Sequence, residues 1–133
     1  MKMKSNQTKK RVVSLWLPNF STDRVENELN HKQKLPKGLL KRKTRNLVLV
    51  DYWKNDLRIK EVNRVAEKFD IKVGMTVDNL RTINSTFEIV KFNFAADLKA
   101  LNLLLELCSR YTPCLGIDPR FSNKISGKSF WLD

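Results

Sequence analysis

Histidine, cysteine, glycine and proline are all scarce in this chain of 133 residues, with one, two, four and four copies respectively. Cys108 and Cys114 sit in apolar surroundings, and His31 has no Cys, Asp or Glu nearby at ligand spacing. That excludes a disulfide scaffold and a Cys/His zinc site, and it makes reduced core thiols the expectation. Too few glycines cluster to cradle a phosphate, and no Ser/His/Asp set is present, so nucleophilic catalysis has no candidate. Long apolar runs are missing as well. Leu101 to Cys108 is interrupted by Asn102 and Glu106, and Val12 to Leu17 ends at Pro18 after six residues. The first is too short for a membrane span and the second for a signal peptide, so a cytoplasmic protein without membrane contact is expected.

Acidic residues are outnumbered. Lys and Arg total 26 against 14 Asp and Glu, a net charge of +12. The excess is local: residues 1–45 hold 13 basic and 3 acidic side chains, residues 46–133 hold 13 and 11. An acidic partner such as nucleic acid fits this field, although an AT-rich genome also enriches Lys and Asn. Residues 1–10 read as a basic tail. Seven Lys or Arg fall within residues 32–45, with Pro36 and Gly38 among them, as in an exposed loop. Lys37, Lys41, Arg42, Lys43 and Arg45 are the candidate phosphate contacts there.

The remaining pattern predicts an α/β domain over residues 11–133. Arg11 to Leu17 is a short apolar strand stopped by Pro18, and Asp23 with Glu26 resembles a capping pair for a following helix. Asn46 to Val50 and Leu57 to Val62 read as a hairpin around the turn Asp51 to Asp56. Arg64 to Phe69 forms a short helix closed by Asp70, and Gly74 breaks the chain. Thr76 caps a second short helix running through Ile83. Phe87 to Phe92 returns as a strand. Asn93 caps a long helix with Phe94, Leu98, Leu101, Leu105 and Cys108 on one face and Asp97 on the other. Leu115 to Asp118 and Ser129 to Asp133 are two further strand candidates.

Four strings in this order resemble the N-terminal part of Y-family (UmuC-type) translesion DNA polymerases, and more closely their ImuB-like relatives. They are Leu15-Trp-Leu-Pro-Asn-Phe-Ser-Thr-Asp-Arg24, Val62-Asn63 followed by Ala66, Phe69-Asp-Ile-Lys-Val-Gly-Met75, and Arg110-Tyr-Thr-Pro-Cys-Leu-Gly-Ile-Asp-Pro119. Each is weak alone; together they span residues 11–119. The resemblance implies an α+β palm with a small inserted fingers subdomain, C-terminally truncated at Asp133. It departs in the stretch Arg120 to Ser129, longer than the corresponding turn, which leaves the last strand's register open.

Active members of that family hold two magnesium ions with three carboxylates, a charge that hard cations need. The matching positions here are Trp16 and Pro18, then Asp118, which persists, and Pro119. The Tyr and Arg that grip the incoming triphosphate become Arg64 and Glu67, and Ser21 replaces the aromatic that excludes a ribose 2′-hydroxyl. The expectation is therefore a homologue that cannot polymerise, with no metal and no cofactor, associated with DNA in damage-induced (SOS-type) mutagenesis. ImuB-like proteins work with an error-prone replicative polymerase and a RecA-like companion, and the resemblance implies the same partners. The alternatives are a surviving active polymerase fragment and a basic RNA- or ribosome-binding module unrelated to polymerases. Trp16 and Leu17 equally suit a packed core strand, and Asp118 a simple turn.

Overall fold

The computed structural model describes residues 11–33, 45–84 and 86–118, together with the backbone of 128–132. Two three-stranded sheets divide the described residues. Strands β1 (Val13–Leu17), β5 (Leu115–Ile117) and β6 (Lys128–Leu132) form the first, in the order β1-β6-β5. The second has β2 (Leu47–Trp53) at its centre, antiparallel to β3 (Asp56–Val62) and parallel to β4 (Glu88–Lys91). Among the described residues the helices are α1 (Phe20–Lys32), α2 (Val77–Ile83) and α3 (Phe94–Cys108), with a 3-10 turn at Ala66–Phe69.

The run Leu47 to Val50 is buried throughout because β2 carries a core on each face. Successive side chains of a strand point oppositely. Val48 and Val50 thus meet Ile59, Ile71, Leu80 and Phe87 on one face, while Leu47 and Leu49 meet Val25 of α1 and Phe92 on the other. Each such side chain contributes roughly 1.5–3 kcal/mol when removed from water. Phe69 closes the first core edge-on against Phe87, ring centroids 5.3 Å apart. The outer edge of β3 is also covered. The amide of Gly74 donates to the carbonyl of Ile59, and the amide of Ile59 donates to Met75, each at 2.8 Å. Gly74 has φ +93°, a conformation that needs glycine.

Buried Asn63 joins four segments. Its side-chain oxygen accepts from the amides of Ala66 (2.9 Å) and Leu47 (3.3 Å), and its side-chain nitrogen donates to Glu26 of α1 and to the carbonyl of Arg45. The predicted caps at Thr76 and Asn93 are present, accepting from the amides of Asn79 and Ala96. The first helix begins earlier than Asp23, at Phe20, and Asn19 at its N-cap position makes no side-chain cap bond. Glu26 is unavailable for capping because it serves Asn63. Trp16 is 67% exposed rather than packed, and Cys114 is exposed rather than a core thiol.

Asp97 reverses its expected place. It lies on the buried face of α3 with 0% exposure, accepting a hydrogen bond from Ser21 and pairing with Arg24 across 2.6 Å. Polar groups are tolerated in a core when their charge and lone pairs are met in this way. The node fastens α3 to the first turns of α1.

Candidate functional site

The end of β1, the start of α1 and the end of β3 enclose a cleft of about 280 Å³. Trp16, Pro18, Asn19 and Thr22 form one wall; Glu61, Val62, Glu67 and Val73 form the other. Three of the residues singled out from sequence, Trp16, Pro18 and Glu67, therefore do meet around one cavity. Its charged lining side chains are both carboxylates, Glu61 being 4% exposed and Glu67 exposed. Such a surface repels a triphosphate, and Arg64, exposed on the same turn, is not part of the lining. Among the described residues, no three His, Cys, Asp or Glu side chains come together as metal ligands.

The other expected positions fall differently. Ser21 is 1% exposed and donates its hydroxyl to Asp97, so the helix turns it away from the cleft toward α3. Asp118 follows β5 and is half-buried. Register places it: Trp16 lies opposite Ser129 of β6, and Ile117 of β5 lies opposite Phe130. One step on, Asp118 comes level with Trp16 on the same face, two strand spacings or about 9–10 Å away.

Arg45 faces inward. Its guanidinium is 7% exposed, bonded to both carboxylate oxygens of Glu88 at 2.8 and 2.9 Å and to Gln33 at 2.6 Å. One guanidinium nitrogen makes both bonds to Glu88 and the other bonds Gln33, so Arg45 anchors the end of the basic stretch instead of offering charge to solvent. Lys37, Lys41, Arg42, Lys43, Pro119 and the tail 1–10 lie outside the described residues. Sequence reading missed Asn19, Thr22 and Glu61. Glu61 was legible only as one position in an alternating strand, where nothing local marks a strand end as a cleft wall.

No family model and no curated protein matches the chain. Solved structures do. A post-insertion binary complex of Dbh DNA polymerase superposes with a TM-score of 0.66 at 19% identity, over 92% of this chain and 31% of that one. DinB from Sulfolobus solfataricus gives 0.63 at 18%, with the same coverage. A Y-family DNA polymerase chimera also gives 0.63 at 18%, over 92% of this chain and 32% of its own. The fold is that of the N-terminal palm region of Y-family DNA polymerases, and the chain spans about a third of the length of these structures.

Proposed function

We propose that this chain is a non-catalytic, ImuB-like member of the Y-family polymerase group, associated with DNA in damage-induced translesion mutagenesis. The observation that carries the reading is the cleft, where an indole, a proline and two glutamates stand around the space in which a polymerase needs cation ligands and phosphate donors. Two-metal phosphoryl transfer requires closely held carboxylates on the attacking and leaving oxygens. The wall of Trp16 and Pro18 supplies none, and the two carboxylates that line the cleft, Glu61 and Glu67, stand on the facing wall. The fold persists around this altered cleft, and the basic excess of residues 1–45 gives it an attraction for the phosphate backbone. In this role it works in the cytoplasm beside an error-prone replicative polymerase and a RecA-like companion, the partners that the resemblance implies. Among the described residues, no helix is long and apolar enough to cross a membrane.

The test is duplex DNA binding as a function of salt. About four phosphate contacts from the 32–45 segment give log K a slope near −3.6 against log salt, from roughly 0.9 per contact. Replacing Lys37, Lys41, Arg42 and Lys43 by Ala flattens most of that slope, whereas Arg45→Ala leaves it nearly unchanged because Glu88 already holds the guanidinium. Absence of DNA binding at low salt contradicts the reading. An unaltered slope in the fourfold variant moves the contact surface elsewhere, to the Met1–Arg11 segment.

A further inference from the structure

We infer that the cleft between β1 and β3 is a docking pocket for one arginine side chain of a partner protein, its guanidinium against the Trp16 indole and paired with Glu67. The lining combines apolar and acidic groups: Trp16, Pro18, Val62 and Val73 beside Glu61 and Glu67. Among the described residues, no basic side chain lines it. In a chain of net charge +12 this is a local reversal of sign. Glu67 is exposed and, among the described residues, takes part in no ion pair, whereas Glu61 is 4% exposed and engaged within the fold. Glu67 is therefore the carboxylate on offer, and Glu61 adds to the negative field.

Size, charge and aromatic lining together select the occupant. At about 280 Å³ the cleft lies just below the roughly 300–1,000 Å³ of small-molecule pockets, which suits a single inserted side chain. Trp16 is 67% exposed and Val73 64%, so the apolar lining is open to an entering group. Two carboxylates repel a phosphate and attract a cation. Arginine answers all of these, because its planar guanidinium stacks on an aromatic face and pairs with a carboxylate through two donors, where a lysine ammonium offers a point charge. Its setting is specified too. A broad basic surface would be turned away by the rest of this chain, so the partner presents its arginine on a neutral or acidic patch. Both walls are held beforehand: the Thr22 hydroxyl donates to the carbonyl of Asn19 and the Glu67 amide to that of Asn63, each at 3.0 Å. Walls fixed in advance lower the cost of docking. The inference rests on the reading of this cleft as one that no longer takes a nucleotide, and names what enters it instead.

Proton–nitrogen NMR of the full chain at low salt, titrated with an end-capped glycyl-arginyl-glycine peptide to concentrations well above about 1 mM, tests it. The Trp16 indole N–H, assigned with Trp16→Phe, shifts saturably, while that of Trp53, also exposed, does not. Glu67→Gln weakens the peptide about two- to fivefold. Trp16→Ala, followed at the Glu67 amide, weakens it by a similar factor. Both positions are exposed, so the rest of each variant's spectrum matches the parent. The lysyl peptide binds more weakly than the arginyl one, and magnesium-bound dATP leaves the Trp16 signal unmoved. No saturable shift with the arginyl peptide, or one indifferent to Glu67→Gln, overturns the pocket; with dATP also silent, the non-catalytic reading stands. Equal affinity for the lysyl peptide overturns the assignment to arginine. A saturable shift with magnesium-bound dATP overturns the non-catalytic reading and this inference with it.

Discussion

Asp97, in the first turn of α3, has Oδ1 2.6 Å from Nε of Arg24 on α1, and it is fully buried while Arg24 keeps only 11% of its side chain exposed. Ser21 donates to the other carboxylate oxygen, and Arg24 reaches on to Glu28 at 2.6 Å. Asp97→Ala removes the acceptor of both and leaves a largely buried guanidinium with only its solvent-side partner. Breaking a buried pair from one side costs about 3–5 kcal/mol, a large share of a typical margin of roughly 5–15. Urea denaturation is expected to show a loss in the lower part of that range, because Glu28 remains. The double variant Arg24→Ala, Asp97→Ala should lose less than the sum of the two singles.

The Asn63 side chain bonds to four residues, Glu26, Arg45, Leu47 and Ala66, around the second sheet. Asn63→Ala leaves the Ala66 and Leu47 amides and the Arg45 carbonyl without their partner in a buried place. Each unmet group costs about 1–3 kcal/mol. A loss of about 3 kcal/mol or more is expected by denaturant titration, with early hydrogen exchange at Ala66 and Leu47. Asn63→Asp fares no better, since it sets a carboxylate against Glu26 and the Arg45 carbonyl.

Asp70 ends the 3-10 turn in the left-handed region, at φ +55°. Glycine takes that conformation without a Cβ penalty, so Asp70→Gly should raise stability by about 0.5–1 kcal/mol. Thr76→Ala should lower it by about 1 kcal/mol through loss of the cap on Asn79. Thermal melts of the two variants shift in opposite directions.

Features held by neighbours along the chain are legible in the sequence itself. Thr76 and Asn93 each cap an amide three residues on, Asp70 closes its own turn, and the hairpin joins adjacent strands, so local chemistry decides them. Features held from far away are not. Asp97 reads as a solvent-face residue of an amphipathic helix because its partner Arg24 is 73 residues earlier. Arg45 reads as part of a basic loop because Glu88 lies 43 residues later. For the same reason the apolar run Leu47 to Val50 reveals a buried strand but not the two separate cores that its alternating side chains serve. The cleft is half visible. Family resemblance locates Trp16, Pro18 and Glu67, while it assigns Ser21 to a site from which the helix rotates it away.

The most direct measurement of the central claim is primer extension by the purified chain at protein concentrations that hold a primed template fully bound, with Mg²⁺ or Mn²⁺ and all four deoxynucleotides. The cleft bounded by Trp16, Pro18, Glu61 and Glu67 predicts no incorporation with either metal while the DNA remains bound. Template-directed extension that disappears in Asp118→Ala would contradict the account, because it would mean that this carboxylate still organises a working two-metal site.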